Sequence, residues 1–193
     1  SDATGQAIFT ITLGATSTLG TDNADNSNAA GSGFQQGTNV VEMFDYLWAY
    51  ESATLVAKFG PLSGTPVLTR GNTASQTPST LTGNGSGQLD LLGTKSFLYY
   101  CNNNNVGRSS SNTAHTNAAL ALEDAARVAS LCALNEYVIV GVRMNSDSMN
   151  SRIYKWDGVS SLPEGQPIII PDTGLRAVRN IGGIVYAVCV TNT

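Results

Sequence analysis

The side chains able to do chemistry in this chain are few and scattered. His115 is its one histidine and sits in a Ser/Asn/Thr run. A Ser-His-Asp triad or a zinc site would have to use it, and no second histidine or cysteine pair stands at ligand spacing. His115 therefore reads as a surface residue. Cys101, Cys132 and Cys189 form no C-x-x-C. An odd count allows at most one bridge, and in β-rich runs such thiols read as small buried hydrophobes. Asp45, Glu51, Asp90 and Asp157 lie near the ends of strand-like runs. Glycoside cleavage needs two carboxylates facing one bond, and nothing in the spacing brings two of these together. The Asp/Asn-rich stretch at 21–28 has oxygens suited to a hard cation. It fails the EF-hand pattern, because Ala24 stands where an oxygen ligand should be and no Glu closes the loop. There is no Gly-rich phosphate loop; Gly182-Gly183 reads as a hairpin turn. No catalytic, cofactor-binding or metal-binding residue is assigned, and no cofactor is expected. Trp48, Tyr50 and Trp156 are the residues that could stack on a sugar ring as a ligand shelf. Their plainer reading is core.

Composition narrows the partners. The 193 residues hold 10 Lys+Arg against 14 Asp+Glu, a net charge of −4, and only 12% are charged. That is about half the usual share. Polarity comes instead from Asn, Ser, Thr and Gly, as on secreted, cell-surface or virion proteins. A phosphate-tracking surface needs clustered Lys and Arg. The arginines here are scattered, and Arg143/Arg152 and Arg176/Arg179 read as solvated strand ends. No nucleic-acid partner is expected. No transmembrane run, signal peptide or lipidation motif is visible, so no membrane insertion is expected. Ser1 in place of an initiator Met leaves the compartment open on that ground.

The elements that must position these residues are mostly strands. Ala7–Leu13 alternates polar and apolar. The aromatic run 39–49 reads as one strand, with a short helix placing Val40, Phe44 and Leu47 on one face as the alternative. Leu89–Leu92 and Ser96–Cys101 form a hairpin split by Gly93-Thr94, and Asn102–Asn105 is an all-Asn turn. The stretch 71–87 is a polar loop carrying the sequon Asn84-Gly-Ser86. Tyr137–Arg143, Arg152–Trp156, Pro167–Ile170 (short and buried-looking) and Leu175–Val190 are further β-runs. The exception is 118–134, rich in Ala and Leu. Taken alone it is a helix, with Asn117 as cap and Glu123–Arg127 paired at i,i+4. Repeat spacing instead requires a strand over 128–134, and the compromise is a helical turn near 118–126 followed by that strand.

Arg127 and Tyr137 recur as Arg176 and Tyr186, 49 residues on. Lys58 and Lys155, in similar strand–turn–Pro contexts, lie 97 residues apart, close to twice that period. A unit of about 40–50 residues with four short strands is the length of a propeller blade. The stretch Tyr137–Tyr186 thus resembles a β-propeller blade in general, without any named signature. The fold expected is all-β and mostly antiparallel, with propeller-like repeats. The alternatives are a β-sandwich or jelly roll, or an α+β fold with one helix near 118–134. Residues 1–193 read as one β-rich domain of about four units, or as a slice of a longer protein. The role expected is a non-enzymatic structural or attachment module of a virion, phage or cell-surface assembly, found outside the cell or on a virion surface. Its partners would be protein subunits, its own or neighbouring. A carbohydrate- or protein-binding propeller module is the alternative, with glycans as partners, and a glycan-active enzyme is the third.

Overall fold

The structure is a computed structural model that describes residues 40–52, 55–65, 67–69, 90–102, 104–144 and 150–189. The strand expected at Ala7–Leu13, the Asp/Asn stretch at 21–28 and the loop 71–87 lie outside the described residues. Those described form strands, turns and bends, with no helix among them.

Four antiparallel units follow one another. The first sheet runs in chain order through β1 (Val41–Met43), β2 (Tyr46–Ser52), β3 (Leu55–Gly60) and β4 (Val67–Thr69). The second is β5 (Leu91–Gly93), β6 (Leu98–Asn102), β7 (Asn105–Ser109) and β8 (His115–Ala121). The third is β9 (Ala126–Leu134), β10 (Tyr137–Met144), β11 (Arg152–Trp156) and β12 (Ile168–Ile169). A two-stranded hairpin ends the series, β13 (Leu175–Ile181) with β14 (Ile184–Cys189). Each strand pairs with its chain neighbour, so every sheet is a meander.

Turn chemistry sets the hairpins. Gly182 and Gly183 both take positive φ between β13 and β14, as a tight two-residue turn requires. The run 39–49 is not the single strand expected. It breaks at Phe44 and Asp45, whose φ values of 56° and 67° reverse the chain. Asp tolerates that region and Phe does so at a cost. Here the Asp45 carboxylate accepts from the Ser63 N–H at 3.0 Å and from its hydroxyl, Phe44 packs against the core, and Trp48 Nε1 donates to the Met43 carbonyl at 2.9 Å.

The helical turn near 118–126 is also overturned. Residues 115–121 complete the second sheet as β8, and Asp124-Ala125 turn the chain into β9. Helix propensity is worth only tenths of a kcal/mol per residue. As a strand, Leu120 lies opposite Val106 and both are fully buried. Glu123 does not pair with Arg127; it accepts from the Tyr154 hydroxyl at 2.9 Å and pairs with Arg152. The strand expected over 128–134 is present inside β9.

The sheets stack through their first strands: β1 packs on β5, β5 on β9, and β9 on β13. One core joins the first three sheets, centred on Trp48, Leu98, Tyr100, Leu120, Val140 and Trp156. A smaller one, Cys132, Ile139, Leu175 and Val178, joins the third sheet to the hairpin. Close approach demands glycine at several positions, Gly107 and Gly141 among them. A Cβ on Gly107 would come within 1.9 Å of the Tyr100 ring, and one on Gly141 within 2.9 Å of Val178. Pro167–Ile170 does not lie inside: Ile168 and Ile169 are exposed on the outermost strand of the third sheet.

Candidate functional site

The aromatic residues singled out by sequence do not make a shelf together. Trp48 and Trp156 are both fully buried, so neither offers a ring face to a sugar. Trp156 meets Tyr99 edge-on, with ring centroids 5.4 Å apart, and its Nε1 donates to the Ser160 carbonyl at 2.7 Å. The backbone of Tyr50 belongs to β2, while its side chain lies outside the described residues. The cysteines are free thiols, with Cys101 and Cys132 buried and Cys189 half-buried. Burial raises all three thiol pKa values.

The carboxylates are held by their own neighbourhoods. Asp157 accepts from the N–H groups of Val159 and Ser160 at 2.8 and 2.7 Å and from the Ser160 hydroxyl, which holds it below the usual carboxylate range. Asp45 caps its turn, as above. The side chain of Glu51 lies outside the described residues. Asp90 stands just before β5, 4% exposed, where the first strands of three units converge. Its Oδ2 accepts from the Ser130 hydroxyl at 2.8 Å, the Leu131 N–H at 3.1 Å and Arg179 Nη1 at 2.9 Å. Ser130 Oγ in turn accepts from the Val178 N–H at 3.1 Å and from Arg179 at 2.7 Å. Arg179 and Arg152, read from the sequence as solvated, are partly exposed and each ion-paired, with Asp90 and Glu123. This arrangement fastens β5, β9 and β13 together.

His115 is not the surface residue expected. Its Nδ1 lies 2.7 Å from Ser109 Oγ, its Nε2 is buried with no hydrogen-bond partner, and Trp48 meets the ring edge-on. Lys58, 2% exposed, packs over the Tyr46 and Trp48 rings and donates to the Asn112 carbonyl at 2.5 Å. Burial pushes the Lys58 ammonium down to about 8. Burial, and then the charge of Lys58, push His115 down to about 4. In the unfolded chain the imidazole titrates near 6.5. Between pH 6.5 and 4 the unfolded chain therefore takes up a proton that the folded chain refuses. Stability should fall as pH drops through that window and level off below it. Discounted for the half-exposed ring, the loss is about 1–2 kcal/mol. Melting curves at pH 7 and 4.5 should show it for the wild type and not for His115→Gln; equal acid loss in both would remove His115 as the cause. Lys58→Met, which replaces a buried charge by an apolar chain of similar length, should melt higher at pH 7 and narrow the window.

What the sequence did not flag is the far face of the β13–β14 hairpin. Cross-strand partners share a face, and the pairs Ile181↔Ile184, Arg179↔Tyr186 and Ala177↔Val188 define one. On it Ile181 is 64% exposed, Ile184 59%, Tyr186 48% and Val188 51%. The opposite face, with Val178 and Val185, packs on the third sheet. The signal available in the sequence was the alternation of Ile184, Tyr186 and Val188, but alternation cannot say which face is covered. A groove also runs between the β5–β6 and β9–β10 turns, lined by Phe97, Asn135, Glu136 and Tyr137. Cations already cover one side of the Phe97 and Tyr137 rings, Arg108 at 4.9 Å from the Phe97 centroid and Lys155 at 3.7 Å from that of Tyr137. Among the described residues no group of three His, Cys, Asp or Glu side chains is placed to hold a metal ion.

No protein-family model matches the chain, and no curated protein matches it. Among solved structures, the crystal structure of the computationally designed Ika4 protein is similar, with a TM-score of 0.52 over 79% of this chain and 83% of that one. At 10% sequence identity the likeness is one of fold.

Proposed function

We propose that this chain is a non-enzymatic structural or attachment module that joins protein subunits in an assembly outside the cell or on a virion surface. The observation that carries the reading is the open apolar face of the β13–β14 hairpin. Four large apolar side chains stand side by side there on one sheet face, 48–64% exposed. A contiguous apolar patch of this kind marks a contact surface. The low charge fits the same role, since a surface of neutral amides and hydroxyls brings little charge that must be desolvated when subunits pack. Successive antiparallel sheets stack on one another through their first strands, which suits joining more units of the same kind. Light scattering on the purified chain, with electron micrographs of the same sample, tests it. The expected result is a mass of more than one chain. A single-chain mass at every concentration, with no regular particle in the micrographs, would sink the proposal.

A further inference from the structure

The stack of sheets has a direction, and both its ends are sheet faces. The first sheet packs through Val41, Met43, Tyr46 and Trp48 onto the second, where Trp48 meets His115 and Val41 lies against Gly93. The second packs onto the third, where Tyr99 meets Trp156. The third packs through Cys132 and Ile139 onto the hairpin, where Gly141 lies under Val178 and Leu175. Moving 49 residues along the repeat turns Cys132, Tyr137 and Ile139 into Ile181, Tyr186 and Val188. These are residues of the exposed hairpin face. The open face is thus the counterpart of the one by which the third sheet holds its successor, and among the described residues no further sheet covers it.

The unit such a face would receive presents the opposite side of its sheet. At the other end of the stack, no preceding unit lies against that side of the first sheet among the described residues. By register it carries Glu42, Leu47, Ala49 and Phe59, of which Glu42 is exposed, Leu47 and Phe59 are half-buried and Ala49 is buried. Within one chain the hairpin packs chiefly on β9 and β10, and its far face remains exposed. We infer that two copies of this chain join head to tail, the Leu47/Phe59 face of one on the Ile181/Ile184/Tyr186/Val188 face of the other. This rests on the subunit-joining role proposed above and names the partner as a second copy. A two-fold arrangement forms the same contact twice and leaves neither end open.

The test uses the full chain and variants at each end, read by light scattering at micromolar concentration. Ile184→Asp with Tyr186→Asp alters only exposed side chains of the hairpin. Leu47→Lys alters the first sheet, and Glu42→Trp places a ring on the same face from an exposed position, so folding is kept in at least one of them. Melting curves confirm that each variant is folded. The wild type should have the mass of two chains, and each variant that of one. An equal mixture of a hairpin variant with a first-sheet variant should regain the two-chain mass, because each supplies the face the other lacks. A two-chain or larger wild type unaffected by the hairpin variant overturns the inference and leaves the subunit role standing. Loss with the hairpin variant alone, while both first-sheet variants stay paired, means hairpin meets hairpin and also overturns it. A wild type of one-chain mass means the face is covered within the chain, by its own first sheet or residues 1–39, and both readings fall.

Discussion

Replacing Trp156 by alanine should cost about 3–5 kcal/mol of folding stability, the range for emptying a fully buried large aromatic site. Domains of this size are usually stable by about 5–15 kcal/mol, so the variant should unfold at a much lower temperature or urea concentration. The argument rests on position as much as on size. Trp156 ends β11, is fully buried, and lies in the layer between the second and third sheets. Its edge-on contact with Tyr99 is the aromatic pair that joins those sheets, and its Nε1 bond to Ser160 holds the loop after β11. Alanine removes the ring, the cross-sheet pair and the tie on the loop together. Trp156→Phe keeps a ring facing Tyr99 and loses the hydrogen bond, so it should cost less, about 1–2 kcal/mol. Chemical melts of the three proteins check this. Equal midpoints for wild type and Trp156→Ala would take the indole out of the core.

The fold class was legible because β-runs leave a strong local mark. Tyr137-Val-Ile-Val-Gly-Val142 is branched and apolar, and it is buried almost throughout as β10. Gly182-Gly183 and the Asn run at 102–105 announce their hairpins by turn chemistry alone. Three features were hidden, each for a physical reason. At 118–121 local propensity favoured helix, and the burial of Leu120 against Val106 decided otherwise; propensity is local and burial is not. At Phe44-Asp45 a turn forms without Gly or Asn, held by contacts to Ser63, which follows 18 residues later. At Ile168-Ile169 an apolar pair looks buried in any sequence, yet it lies exposed on the outer strand of its sheet. The candidate site was less legible than the fold. Ile184, Tyr186 and Val188 differ in no local way from Val138 and Val140; only the end of the stack makes one set open and the other core. His115 and Lys58 were misread or passed over because their environment is assembled by residues from separate sheets.

Asp90→Ala should be the most damaging change to a polar side chain among those described, at about 2–4 kcal/mol. Asp90 is the shared acceptor for three donors from two other strands: the Ser130 hydroxyl and Leu131 N–H of β9, and Arg179 of β13. Removing the carboxylate leaves two buried donors without it, each costing about 1–3 kcal/mol when unsatisfied. Arg179 is 46% exposed and regains water, which keeps the total below the full cost of stranding a buried cation. Asp90→Asn retains a carbonyl acceptor of the same shape but no charge, so it should fall between wild type and alanine. Arg179→Ala strands the other partner, a carboxylate only 4% exposed, which keeps two of its donors. If the three strands are fastened through one network, Asp90→Ala and Arg179→Ala must not add. The double variant should be more stable than the summed single losses imply, by at least about 1 kcal/mol. A strictly additive cycle would mean that Arg179 acts through solvent and that Asp90 serves β9 alone. Non-additivity would place the coupling of the hairpin to the sheets at this residue, next to the face on which a second subunit is proposed to dock.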